Sequence, residues 1–282
     1  MAVKEFDLTL DDGRTLHACD TGERGDDRLA VVWHHGTPNL GRPPEPLFPA
    51  ADRLGIRWVS YDRPGYGGST PDPGRTVASA AADVARIADA LGIDRFAVMG
   101  HSGGGPHALA CGALLPDRVA CVVSGSAPAP YDAEGLDWFA GMAPDPAASL
   151  RAAAAGRAAK ERYEAADEER DPGFIPADID ALTGRWSWLL DVVRPAIAAG
   201  PAALIDDDLA LVAHWGFDPA RVDVPVLVLH GGKDRMIPVA HGEWLANRCP
   251  TAELRLFPED GHVSVLNSAE PALEWLRAKA EA

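Results

Sequence analysis

Cysteine, basic residues and long apolar runs are all scarce in this sequence. Four of the 282 residues are cysteine, and no two are spaced as C-x-x-C, so we expect neither a metal site nor a redox motif. Lys and Arg number 26 against 42 Asp and Glu, and the net charge of −16 argues against nucleic acid and anionic membrane surfaces as partners. No apolar run approaches the roughly 20 residues of a transmembrane helix. We therefore expect neither nucleic acid nor a membrane as a partner.

The first five residues, MAVKE, lack the basic and apolar regions of a signal peptide, which predicts a cytoplasmic protein. A hydrophobic fraction of 47% and a charged fraction of 24% are typical of soluble globular proteins. A chain of this length can form two domains or one large domain with an insertion. The oligomeric state is left open, with a homo-oligomer as one alternative.

Short apolar runs alternate with stretches of helical periodicity over most of the chain. This alternation predicts an α/β fold, a mostly parallel central sheet with helices on both faces. The segments Lys4–Leu10 and Arg14–Cys19 flank the turn signal Asp11-Asp12-Gly13 and are expected to form an antiparallel hairpin at the sheet edge. The later strands are expected at Leu29–Trp33, Ile56–Tyr61, Phe96–Met99, Val119–Ser124, Val226–His230 and Glu253–Phe257, with helices that include Thr76–Leu91, Val239–Arg248 and Ser268–Ala280.

The alternation stops between about Tyr131 and Trp215, where Ala-rich helical segments replace the buried strands. We therefore predict a core in two parts, residues 1–130 and 216–282, with a helical cap inserted at 131–215. An insertion at this point of the chain could roof a site at the sheet edge. Its large apolar side chains are predicted to line a substrate pocket, although they could instead pack inside the cap: Trp138, Phe139, Met142, Trp186 and Trp188.

The sequence Gly100-His101-Ser102-Gly103-Gly104 follows an apolar strand and precedes a helical stretch. It matches G-x-S-x-G, which in this setting is typical of a nucleophile elbow. Turning a strand into a helix at one residue requires a positive φ there and small neighbours, because the two backbones almost touch. Ser102 is therefore predicted to be an exposed nucleophile.

A serine nucleophile requires a base and a group that orients the base. His262 follows the last predicted strand and Asp234 the strand before it, so both lie at the carboxyl ends of strands, where such sheets bind ligands. Asp260 is the rival acid, but it is so near His262 in sequence that useful geometry is rare. We predict Ser102 as nucleophile, His262 as base and Asp234 as orienting acid.

The reaction also requires donors for an oxyanion. The N–H of Gly103, one residue after the nucleophile, is one expected donor. The second is expected from the loop after the Leu29–Trp33 strand, and within His35-Gly36-Thr37-Pro38 we choose the N–H of Thr37. This machinery needs no cofactor and no metal.

Together these motifs resemble the α/β-hydrolase superfamily in its cap-bearing branch. The resemblance also includes Asp62-Arg63-Pro64-Gly65-Tyr66-Gly67-Gly68-Ser69, which looks like a structural turn, and it covers the whole chain except the cap. Members with Asp in the place of Ser102, the haloalkane dehalogenases and epoxide hydrolases, are disfavoured. Proline iminopeptidases typically have Trp where this chain has Gly103, and this difference makes a peptidase less favoured than an esterase.

The resemblance implies a serine hydrolase that cleaves an ester or related acyl bond of a small-molecule substrate through an acyl-enzyme. Two alternatives remain open. One is a carbon–carbon hydrolase or an aminopeptidase similar to proline iminopeptidases, using the same machinery. The other is a non-catalytic small-molecule receptor, because the fold alone does not determine function.

Overall fold

The computed structural model describes residues 1–166 and 169–281 and builds them around one eight-stranded sheet. Along the sheet the strand order is β1-β2-β4-β3-β5-β6-β7-β8. The first two pairings, β1 with β2 and β2 with β4, are antiparallel, and all the others are parallel. The strands are β1 Lys4–Thr9, β2 Thr15–Asp20, β3 Leu29–His34, β4 Ile56–Tyr61, β5 Phe96–His101, β6 Val119–Gly125, β7 Val226–Gly231 and β8 Ala252–Phe257.

Alternate residues of the central strands pack against helices on opposite faces of the sheet. Along β3, Val32 belongs to the core on one face, whereas Val31 and Trp33 belong to the core on the other. The sheet is therefore buried on both faces, as its continuous apolar strands indicate. The helices described are α1 Phe48–Arg53, α2 Ser79–Leu91, α3 Gly104–Leu114, α4 Pro144–Ala154, α5 Arg157–Glu164, α6 Pro176–Thr183, α7 Trp188–Ala198, α8 Ala202–Val212, α9 Val239–Arg248 and α10 Ala269–Ala280.

The predicted fold class and edge hairpin are confirmed, with small differences at element ends. The helix predicted from Thr76 begins at Ser79, because residues 76–78 form turns instead. Ala78 there donates its N–H to the carbonyl of Trp215, which ties the approach to α2 to the chain after α8.

Helices α4 to α8 lie between β6 and β7, in the segment predicted as a cap. Within it α4 packs against α5 and α8, and α6 packs against α7. Helix α6 also packs against the short 3-10 helix Ser264–Ser268, which follows β8. The division into core and cap stays a prediction.

Among the described helices no single one has the length and apolar character to cross a membrane, and α7 and α8 meet that test only jointly, across a bend of 103°.

Candidate active site

Ser102 occupies a turn that joins β5 to α3 within two residues. Its φ is +56°, a left-handed conformation that is costly for a residue with a side chain. A Cβ on Gly100 would lie 2.2 Å from the carbonyl oxygen of Gly104, and a Cβ on Gly104 would lie 2.0 Å from that of His34. Glycine is therefore required on both sides of Ser102, which explains the G-x-S-x-G pattern.

The structure brings the three residues predicted as a triad into one hydrogen-bonded chain. The Oγ of Ser102 lies 2.9 Å from Nε2 of His262, and Nδ1 of His262 lies 2.8 Å from Oδ2 of Asp234. The other oxygen of Asp234 accepts the backbone N–H groups of Met236 and Ile237, at 2.9 and 2.8 Å. Asp234 is thus the carboxylate bonded to the imidazole.

Burial and charge have opposite effects on the pKa values of His262 and Asp234. Burial lowers the pKa of His262, but the charge and hydrogen bond of Asp234 outweigh it and leave the pKa raised. Burial likewise raises the pKa of Asp234, and the interaction with His262 more than offsets this and lowers the pKa. Asp234 therefore stays ionised, and its charge stabilises the protonated form of His262.

The loop that carries His262 is held by two residues outside the predicted triad. Asp178, buried on α6, accepts the backbone N–H groups of Val263 and Ser264, each at 2.8 Å. The ring of His101 donates from Nε2 to the carbonyl oxygen of His262 at 2.8 Å. Asp178 has a local signal, since it sits three residues into a helix, but nothing in the sequence indicates its distant partner.

The two residues predicted to supply the oxyanion donors line one small cavity together with Ser102. Thr37, Ser102 and Gly103 all line this cavity, whose volume is about 150 Å³. A Cβ added to Gly103 would lie 3.6 Å from the backbone nitrogen of Thr37 and 2.4 Å from its Oγ1. The two backbones thus approach closely, and a side chain at position 103 would fill the gap between them.

The buried carboxylate of Asp207 on α8 is hydrogen-bonded to the loop that contains Thr37. Asp207 accepts the hydroxyl of Thr37 at 2.6 Å and that of Tyr66 at 2.9 Å. It is also ion-paired with Arg63 at 2.6 Å and Arg75 at 2.5 Å. Burial alone raises the pKa of Asp207, but these two arginines hold it well below its usual range. Sequence analysis did not identify Asp207, because an acidic residue in a helix usually indicates a solvated face.

A larger cavity of about 410 Å³ also opens beside Ser102. Helix α7 and the loop before α6 each contribute four residues to its walls, α4 contributes three, and the exposed lining is predominantly apolar. The apolar lining residues are Pro38, Pro146, Pro172, Phe174, Leu182, Leu189, Leu190, Val193, Ile197, Met236 and Val263.

The prediction that the large side chains of the inserted segment line the pocket is wrong for all five. Trp138, Phe139, Met142, Trp186 and Trp188 are absent from the lining of both cavities beside Ser102. Trp186 and Trp188 are buried in the core with strand residues of the sheet, and the indole of Trp138 donates to the carbonyl of Ala129. Phe139 packs against Trp138. Large rings bury the most area where elements meet, so they are used for packing, and smaller aliphatic residues leave the space open.

Comparison with known proteins adds the family context of this site. The family model for the alpha/beta hydrolase fold matches residues 30–269. A non-heme chloroperoxidase of Streptomyces lividans is 30% identical over 83% of this chain and 83% of its own length. A pimeloyl-[acyl-carrier protein] methyl ester esterase of Aromatoleum aromaticum is 31% identical over 86% of this chain and 94% of its own. A 2-hydroxy-6-oxononadienedioate/2-hydroxy-6-oxononatrienedioate hydrolase of Cupriavidus pinatubonensis is 27% identical over 97% and 91%.

Solved structures share the same fold at lower identity. A hydrolase from Pseudomonas aeruginosa superposes with a TM-score of 0.73 at 21% identity, covering 99% of this chain and 98% of its own. An enol-lactonase from Burkholderia xenovorans superposes with a TM-score of 0.71 at 20% identity, covering 98% and 100%.

Proposed function

The chain belongs to the alpha/beta hydrolase fold family, and on that premise we propose that it is a serine hydrolase that cleaves esters of small apolar molecules. The observation that carries the proposal is the continuous hydrogen-bonded chain from Ser102 through His262 to Asp234, at 2.9 and 2.8 Å. A nucleophile, a base and an orienting acid within hydrogen-bond reach are the arrangement that acyl transfer needs.

In the proposed reaction Ser102 Oγ attacks the ester carbonyl carbon while Nε2 of His262 takes the hydroxyl proton. The carbonyl oxygen becomes an oxyanion, which the backbone N–H groups of Thr37 and Gly103 stabilise. Each such donor contributes about 2.7–4 kcal/mol to transition-state stabilisation. When the C–O bond breaks, His262 returns the proton to the leaving alcohol and the acyl group stays on Ser102.

Water then completes the cycle. His262 takes a proton from a water molecule that attacks the acyl carbon, the tetrahedral intermediate collapses, and the proton passes to Oγ of Ser102 as the acid leaves. Asp234 stabilises the imidazolium in both half-reactions and does not itself take a proton.

The pocket wall supports an uncharged apolar substrate. Within the described lining of the larger cavity, Arg170 is the one Lys or Arg, and its guanidinium is ion-paired with Glu164 at 2.8 Å. A dicarboxylate, the kind of substrate named for the Cupriavidus relative, would require cationic partners to offset its desolvation. The net charge of −16 disfavours anions further. We therefore favour ester cleavage over hydrolysis of a dicarboxylate at a carbon–carbon bond.

The test is a panel of p-nitrophenyl esters of increasing acyl length beside a dicarboxylate carbon–carbon hydrolase substrate, with Ser102→Ala as the control. We expect turnover of the neutral esters that disappears in Ser102→Ala. Ester turnover that persists in Ser102→Ala would contradict the assignment of Ser102 as the nucleophile. Turnover of the dicarboxylate alone would favour the carbon–carbon hydrolase. If no compound of the panel is turned over, the non-catalytic receptor would be favoured.

A further inference from the structure

The edge hairpin carries chemistry that the active site does not use. In β1 the acidic residues Glu5 and Asp7 flank Phe6, and in β2 His17 and Cys19 flank Ala18. Side chains alternate between the faces of a strand, so the flanking residues share one face of the hairpin and the central ones the other. Ala18 is buried in the core with Phe6 packed against that core, so the four functional side chains lie on the opposite face.

The register of the hairpin turns this pattern into a cluster. Glu5 pairs directly with Cys19, and Asp7 pairs directly with His17. One ligand atom each of Glu5, His17 and Cys19 lies within 4.8 Å of the other two. The ring of His17 spans the cluster, with Nδ1 at 2.7 Å from Oδ1 of Asp7 and Nε2 at 3.8 Å from Oε2 of Glu5.

This is a set of donors that a borderline-soft divalent cation prefers. Thiolate, imidazole and carboxylate are the ligands of tetrahedral Zn²⁺, and water can complete the fourth position. In zinc sites the second nitrogen of a ligating histidine is commonly held by a carboxylate, and here Asp7 is hydrogen-bonded to Nδ1 of His17 and leaves Nε2 toward Glu5.

Contrary to the expectation from cysteine spacing, we propose that Glu5, His17 and Cys19 bind Zn²⁺, with Asp7 orienting the imidazole of His17. The side chains of Glu5 and His17 are 56% and 27% exposed, which gives a cation access from solvent, and Cys19 forms the buried floor. As the metal–sulfur bond forms, the Cys19 thiol loses its proton to solvent. The ion would join β1 to β2 at the exposed edge of the sheet. None of its ligands belongs to the proposed catalytic site, so the site is independent of the proposed hydrolase reaction.

The experiment is titration of the untagged full chain with Co²⁺, a spectroscopic substitute for zinc, followed by displacement with Zn²⁺. We expect one Co²⁺ per chain, with an absorption band from thiolate-to-cobalt charge transfer that Zn²⁺ abolishes. Cys19→Ser should remove that band, whereas the matched control Cys249→Ser, another buried cysteine, should keep it. Asp7→Asn should weaken binding by about 10–100-fold.

Glu5→Gln keeps the test decisive if Cys19→Ser fails to fold, because Glu5 is exposed and the substitution removes only its charge. Weaker Co²⁺ binding by Glu5→Gln, with unchanged circular dichroism, supports the site. The proposal is overturned if wild type shows no saturable Co²⁺ binding, if the charge-transfer band persists in Cys19→Ser, or if affinity is the same in Glu5→Gln as in wild type.

Discussion

Among single residues, Asp234 can be tested most sharply, because Asp260 is a nearby aspartate that serves as a matched control. Asp234 is bonded to His262, whereas Asp260 lies two residues from His262 without such a bond. We expect Asp234→Asn to lower kcat by about 10⁴, as loss of the orienting acid does in other triads. Asp260→Asn should change kcat far less. Steady-state kinetics on both variants check this, and a reversed order would identify Asp260 as the acid.

The pH dependence of activity follows from His262. The imidazole acts as a base only when neutral, so kcat/KM should rise with pH through the pKa of His262 in the free enzyme. Burial lowers that pKa, but the opposing charge of Asp234 raises it above the ordinary value of 6.5, so the acidic limb should lie above that pH. In Asp234→Asn the limb should move to lower pH. A kcat/KM–pH profile with the same acidic limb in both proteins would contradict this assignment.

The hydroxyl of Thr37 is expected to position the oxyanion loop through Asp207. Thr37→Val keeps the shape and removes the hydrogen bond to Asp207 and the one that Arg63 donates to the hydroxyl, so the loop should shift and kcat fall by up to about 10²-fold with little change in KM. Thr37→Ser restores a hydroxyl and should recover most of kcat. Kinetics and melting temperature are measured on both variants. An unchanged kcat in Thr37→Val together with a loss in Thr37→Ser would mean that the methyl group matters rather than the bond.

Removing Asp207 itself is a different perturbation. It would leave Arg63 and Arg75 buried without their shared carboxylate, a change that typically costs about 3–5 kcal/mol. Arg63 also donates to the carbonyls of His35 and Gly36, so the whole loop before Pro38 depends on this cluster. The Thr37 pair is therefore the cleaner test of positioning.

Among the elements, α7 is expected to set acyl selectivity. Val193 lines the larger cavity, so Val193→Phe should fill part of it and shift preference toward shorter acyl chains, by about 10–200-fold for a group that no longer fits. Trp186→Ala should instead lower the free energy of unfolding by about 3–5 kcal/mol and leave the ranking of esters unchanged. Melting temperature and ester ranking, measured on both variants, separate the two roles. A changed ranking in Trp186→Ala alone would contradict the assignment of the cavity.

The sequence could predict those elements whose signals are local. Buried strands have short apolar runs, and Ser102 and Asp234 each follow such a strand. His262 follows the half-exposed edge strand β8, and all three residues lie in connections that contain glycine. Asp178 and Asp207 could not be predicted in the same way, because their partners lie 85 and 170 residues away and nothing near them in the helix indicates those contacts.

The lining of the pocket could not be predicted, for another reason. Size and hydrophobicity identify residues that will be buried, but they do not say whether a helix turns them toward a cavity or toward the core. Trp186, in the turn before α7, and Trp188, at its first residue, pack into the core, whereas Leu190 and Val193 of α7 line the cavity.

At the scale of the whole molecule, the proposed site is assembled from distant parts of the chain. The nucleophile follows β5, the acid follows β7 and the base follows β8, while Asp178 and Asp207 attach two helices of the inserted segment to the loops around them. Parallel strands bring these loops to one edge of the sheet, as expected for an open α/β sheet. The strong negative charge of the chain disfavours anionic substrates, and the apolar cavity suits the uncharged esters proposed as substrates.

The central claim is that Ser102 is a nucleophile activated by His262. Its most direct test is labelling of the folded protein with a fluorophosphonate, followed by peptide mapping of the modified serine. We predict one phosphonyl group per chain, on Ser102, and no labelling of Ser102→Ala, which should remain folded because Ser102 is strained rather than part of the core. Labelling of a different serine, with Ser102 unmodified, would contradict the account.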